Sequence, residues 1–154
     1  MKKLIAISAL LCASMQAATA PVADAAMKGD KNAVKTLIAQ KGDVNAVQAD
    51  GATAIQWAAY RDDAALAEML IAAGADVKKA NREGFTPLVL ASINGSSAMI
   101  QKLLKAGAGA NDPDNNGDTP LMFASRNGNV DAIKVLLDAG ANVNAKEKVR
   151  GTTA

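Results

Sequence analysis

Residues 117–144 read GDTPLMFASRNGNVDAIKVLLDAGANVN, and this stretch decides the fold. Thr119 is a helix N-cap, because its hydroxyl can accept one of the backbone N–H groups that a helix start leaves free. Pro120 then takes the first helical position, where no N–H is needed. Leu121 and Ala124 lie three apart on one face, and small Ala124 and Ser125 let a neighbouring element come close. Asn127-Gly128 breaks that helix. A second helix follows, with Ile133, Leu136 and Leu137 as its apolar stripe and Gly140 just past its end. Ala141-Asn142-Val143-Asn144 leads into a polar turn, so the unit reads as helix, turn, helix and hairpin.

The unit recurs along the chain. Pro21, Ala54, Pro87 and Pro120 stand 33 apart, as do Gly51, Gly84 and Gly117, and also Thr53, Thr86 and Thr119. Apolar columns keep the same register: Val22, Ile55, Leu88 and Leu121; Ala25, Ala58, Ala91 and Ala124; Leu37, Leu70, Leu103 and Leu136; Ile38, Ile71, Leu104 and Leu137. A period of this length marks a solenoid, in which each unit buries its apolar faces against its neighbours alone. The predicted fold class is an all-α repeat solenoid of about four units. They span residues 21–50, 51–83, 84–116 and 117–150, and residues 151–154 begin a further one.

Gly84-Phe85-Thr86-Pro87-Leu88 and Gly117-Asp118-Thr119-Pro120-Leu121, with Ala139-Gly140-Ala141-Asn142-Val143-Asn144, resemble the ankyrin repeat. The resemblance covers residues 21 to 154. It implies helix-turn-helix units joined by β-hairpins or loops. It also implies a protein-protein interaction module, whose partner is gripped by hairpin tips and by the exposed side of the first helices along a concave surface.

Departures from the family pattern carry expectations of their own. The family's histidine after Thr-Pro-Leu is replaced by Ala23, Gln56, Val89 and Met122, so the hydrogen bond that histidine makes near the turn is expected to be missing. Asp62 replaces the mid-repeat glycine seen as Gly29, Gly95 and Gly128, and Lys41-Gly42 stands where later units have Gly-Ala. A strained or altered turn between helices is expected in the second unit. Asp24 occupies the column of Trp57, Leu90 and Phe123, and a polar residue there suits an N-terminal cap. Gly151-Thr152-Thr153-Ala154 matches Gly51-Ala52-Thr53-Ala54, so the array is expected to be cut off as a fifth unit begins.

The chain has 154 residues with 17 Lys plus Arg against 15 Asp plus Glu. Two of the cations are Lys2 and Lys3, so from residue 21 onward the balance is 15 against 15. Interspersed charges of this kind offer no footprint for nucleic acid or an anionic membrane. Histidine is absent, which removes the usual general base and the commonest metal ligand. The single cysteine, Cys12, provides neither a disulfide nor a thiolate zinc site downstream. No Ser/His or Cys/His pair, paired-carboxylate cleft or phosphate-cradling loop is discernible, so no catalytic, cofactor or metal residues are expected. Asp112-Pro113-Asp114-Asn115-Asn116-Gly117-Asp118 has the look of a calcium loop, but the twelfth residue from Asp112 is Phe123 where that site needs glutamate. It reads as a polar hairpin tip.

Lys2-Lys3, the apolar run from Leu4 to Ala13 and the small residues Ala17-Ala18-Thr19-Ala20 read as an export signal over residues 1–20. The run is about half of the ~20 residues that a membrane-crossing helix needs. The mature chain is therefore expected outside the cytoplasm, periplasmic or secreted, without membrane insertion.

Candidate contact residues follow from the family's binding surface. The tips carry Ala49, Asp50 and Ala52, then Arg82, Glu83 and Phe85, then Asn115, Asn116 and Asp118. Two ladders run along the first helices: Met27, Tyr60, Ile93 and Arg126, beside Lys28, Arg61, Asn94 and Asn127. From these the expected partner-binding set is Tyr60, Arg61, Arg82, Phe85, Ile93, Asn94, Asn115, Asp118, Arg126 and Asn127. Tyr60, Phe85 and Ile93 are its anchors, as apolar side chains at positions expected to be exposed and flanked by arginine. The expected partner is a protein bound by a monomer. Two other roles fit the same sequence: the N-terminal accessory region of a longer exported enzyme, and a scaffold in the cell envelope.

Overall fold

The computed structural model describes residues 19–148 and 153–154. The expectations placed on the leader up to residue 18, and on residues 151 and 152 at the start of a further unit, lie outside the described residues. Eight helices are described: α1 (Pro21–Lys28), α2 (Lys31–Ala39), α3 (Ala54–Tyr60), α4 (Ala64–Ala72), α5 (Pro87–Asn94), α6 (Ser97–Lys105), α7 (Pro120–Asn127) and α8 (Val130–Asp138). They form four helix pairs. α1, α3, α5 and α7 pack one on the next as a row, and α4, α6 and α8 form a second row behind them. This is the all-α solenoid that the 33-residue period implies.

Capping sets where the helices begin. Thr86 and Thr119 hydroxyls accept from the Val89 and Met122 N–H groups at 3.2 and 3.4 Å, each with proline at the first helical position. The second helices start on side chains of the same kind: Asp30, Asp63, Ser96 and Asn129 accept from Ala33, Leu66, Met99 and Ala132. Apolar columns then fill the interior. Ile55, Leu88 and Leu121 are buried with Val22, and Ala58, Ala91 and Ala124 let adjacent first helices close up. In α8, Leu136 is fully buried but Leu137, expected in the apolar stripe, is 41% exposed. Successive helical residues point about 100° apart, so both cannot face α7.

The expected hairpins are loops, and no strand occurs among the described residues. Each tip is closed by two backbone bonds: the Gln48, Asn81 and Asp114 N–H groups donate to the Ala52, Phe85 and Asp118 carbonyls, and the Gly51, Gly84 and Gly117 N–H groups donate back to the Gln48, Asn81 and Asp114 carbonyls. Side chains take the donors that a ladder would use: Asn81 Oδ1 accepts from Glu83 and Phe85, and Asp114 Oδ1 from Asn116 and Asp118.

Asp62 has φ 54° and Lys41 has φ 60°, in the left-handed region that Gly95 and Gly74 occupy one unit later. The turns therefore keep the family geometry, and the strain stays on the two residues that carry a Cβ. Gln56 overturns the expectation of a missing bond. Only 2% exposed, it donates from Nε2 to the carbonyls of Lys79 (2.9 Å) and Phe85 (2.8 Å), and its Oε1 accepts from the Thr53 N–H (2.8 Å). Its amide is both donor and acceptor, so it can span from α3 to the next tip as Val89 and Met122 cannot.

Two asparagines clamp other pairs of units. Asn45 donates to the Gly74 carbonyl and accepts from Asp76 N–H; Asn111 does the same with Gly140 and Asn142. Lys78 holds the intervening position and, with no acceptor, cannot make this clamp.

Candidate functional site

The first helices present Trp57 and Tyr60 on α3, Leu90 and Ile93 on α5, and Phe123 and Arg126 on α7. Residues three apart on a helix share a face, so these pairs form a continuous strip beside the loop tips. Tyr60 is 60% exposed and Ile93 39%. Phe85, expected to be exposed, is half-buried, because its ring meets Phe123 edge to face at 6.1 Å. Trp57 and Tyr60 make a similar contact at 5.9 Å.

Polar groups fix these rings. Trp57 Nε1–H donates to Gln48 Oε1 at 2.6 Å, and Gln48 Nε2 donates to Asp24 Oδ1 at 2.6 Å. Asp24 thus anchors a relay into the second unit, beyond the capping role expected for it. Arg126 lies 5.4 Å from the Phe123 ring centroid and donates to Asp118 Oδ1 at 2.8 Å. That hydrogen bond raises the arginine pKa against the opposing effect of burial, so the guanidinium stays charged.

A cleft of about 290 Å³ opens between the tips at Asp50-Ala52 and Asn81-Phe85, with Gln56, Trp57, Tyr60 and Leu90 forming the rest of its wall. It brings together Tyr60 and Phe85 from the sequence-derived set. Arg126 and Asp118 stand farther along the strip, with Ile93 between. The remaining members do something else. Asn94 Nδ2 donates to the carbonyls of Ala59 and Tyr60, Asn127 Nδ2 to that of Ile93, and Arg61 Nη1 to that of Met27 at 3.4 Å. Those carbonyls sit at the end of the preceding first helix, where no intrahelical donor remains. Asn115 Nδ2 joins its tip to the Arg82 carbonyl, and Arg82 itself is exposed.

Trp57, Leu90 and Phe123 were missed as surface residues, although one signal could have found them. They stand one helical turn before Tyr60, Ile93 and Arg126, in the column that Asp24 opens. Chemically the strip is a row of oriented rings and aliphatic groups with carboxylates beside it, suited to holding a partner. The Asp114 carboxylate is taken up by its own loop, and no group of three or more His, Cys, Asp or Glu that could hold a metal occurs among the described residues. Among the same residues, no helix is long and apolar enough to cross a membrane.

A family model described as ankyrin repeats (3 copies) matches residues 22–114 and, overlapping, 66–147, well over half of the chain. No curated protein matches the sequence.

Proposed function

From its membership of the ankyrin-repeat family, to which the chain belongs, we propose that it binds a protein partner along the strip running from Trp57 and Tyr60 to Phe123 and Arg126. Ankyrin repeats are in general protein-interaction modules and typically not enzymes. The observation that carries the reading is Tyr60. It is an aromatic side chain 60% exposed to solvent yet held by Trp57, in line with Ile93 and the half-buried Phe85. Binding hot spots favour Tyr, Trp and Arg, and a ring already held in place loses little entropy when a partner covers it. The linking side chains Asn94, Asn127 and Asn115 support the same surface indirectly, by keeping the units in register.

The basic-then-apolar order of the first twenty residues supports a place of action outside the cytoplasm. A partner captured from periplasmic extract by immobilised protein is the test. Tyr60→Ala/Phe85→Ala/Ile93→Ala, with its helicity checked by circular dichroism, is expected to lose most of the capture. Gln101→Ala/Asp138→Ala, on the second-helix side, is expected to keep it. Unchanged capture by the triple variant would overturn the site.

A further inference from the structure

We infer that the cleft between Asp50 and Glu83 is a receptor for one cationic side chain, lysine or arginine, of the protein partner. This rests on the reading of the strip as a binding surface and adds the chemistry of what enters it. The cleft is lined by the aromatic residues Trp57, Tyr60 and Phe85, and its two carboxylate residues, Asp50 and Glu83, are both exposed. Rings offer a cation their negative faces, tryptophan most strongly, while carboxylates nearby supply the charge.

Arg61 and Arg82, the arginines that adjoin the cleft residues Tyr60 and Glu83 in sequence, are turned elsewhere. Arg61 leans toward α1, its guanidinium packed over Gly29 and bonded to the Met27 carbonyl. Arg82 lies with its Cγ against Gly51, and neither arginine lines the cleft. The fourth unit shows the filled form of the same chemistry: Arg126 sits over the Phe123 ring with Asp118 bonded to it. In the second unit, Tyr60 occupies the position equivalent to Arg126, and no lysine or arginine is among the described residues that line the cleft. The volume, about 290 Å³, lies at the lower edge of pockets that enclose whole small ligands, which suits a single long side chain.

Two synthetic peptides test this, identical apart from a central lysine or its uncharged analogue norleucine, with glycine and serine on both sides. Each is titrated into the full chain while NMR follows the indole N–H of Trp57, the only tryptophan, and the rings of Tyr60 and Phe85. The lysine peptide is expected to shift these signals and to bind roughly threefold or more tightly than the norleucine peptide. Asp50→Asn/Glu83→Gln keeps side-chain shape and the acceptor that closes the Asp50 turn onto Ala52 N–H. It is expected to weaken lysine binding roughly threefold to tenfold and to erase the preference. Equal binding of the two peptides, no binding, or lysine-dependent shifts away from Trp57, Tyr60 and Phe85 would overturn the inference. Partner capture separates the two readings. Loss of capture in Tyr60→Ala/Phe85→Ala/Ile93→Ala but not in Asp50→Asn/Glu83→Gln would leave the surface standing and remove the cation. No loss in either variant would remove both.

Discussion

Gln56→Leu tests the hydrogen-bonded joint between the second and third units. The change removes three bonds of 2.8 to 2.9 Å from a side chain that is 2% exposed. The three partners suffer unequally. The Thr53 N–H belongs to a fully buried residue and is left without its acceptor, which costs about 1–3 kcal/mol. The Phe85 carbonyl keeps the Asn81 N–H, and the Lys79 carbonyl lies on a half-buried residue that water can approach. Each of these two bonds contributes about 0.5–1.5 kcal/mol, and leucine regains part of the total by burying an apolar side chain. The net loss is expected to be about 2–4 kcal/mol, or roughly 10 °C in Tm for a domain of this size. Urea and thermal unfolding by circular dichroism measure it, together with hydrogen exchange at the Thr53 amide, which should speed up. Gln56→His retains one donor and one acceptor and is expected to lose less than half as much. A loss below about 0.5 kcal/mol, with Thr53 protected as in the parent, would refute the reasoning, since surface substitutions cost no more than that.

Lys41→Gly and Asp62→Gly place glycine where φ is already positive, and each is expected to stabilise by about 0.5–1 kcal/mol in urea unfolding, Asp62 less because Asp tolerates this region. Lys78→Asn supplies the clamp that Asn45 and Asn111 make in the flanking units; it is expected to add about 0.5–1.5 kcal/mol and to slow exchange of the Gly109 amide. Burial pushes the Asp63 carboxyl up, but the Leu66 N–H and Lys31, at 3.0 Å, together hold its pKa below the ordinary 3.8. A depressed carboxylate stabilises the fold above its unfolded-state pKa, and that stability is lost as pH falls through the folded value. Asp63→Asn is therefore expected to be less stable than the parent at neutral pH, with the gap closing below about pH 4.

The columns that recur at 33 residues made the four units, their helix order and the capping threonines legible without coordinates. What stayed hidden has a common cause: the decisive partners lie one unit away. Asn94 and Asn127 look like solvated surface amides until their acceptors, 34 or 35 residues earlier, are in view. Gln56 looks like a departure from the family pattern, yet it makes a bond of the kind expected of histidine, because an amide also carries a donor and an acceptor. Trp57, Leu90 and Phe123 do not stand out in the sequence of a single helix, where apolar spacing cannot distinguish a buried face from a strip left half-open beside loop tips. The loops themselves read as hairpins, since an asparagine or aspartate that takes up two backbone donors leaves no trace in hydrophobic periodicity.

Site-specific photo-crosslinking tests the binding surface most directly. A benzophenone side chain is placed at position 60 on α3 in one protein and at position 101 on α6 in another, and both are irradiated in the same periplasmic extract. A discrete crosslinked partner from position 60 and none from position 101 is the expected result. The same partner crosslinked from position 101 alone, or no crosslink from position 60 while the intact protein still captures that partner, would contradict binding along the first-helix strip.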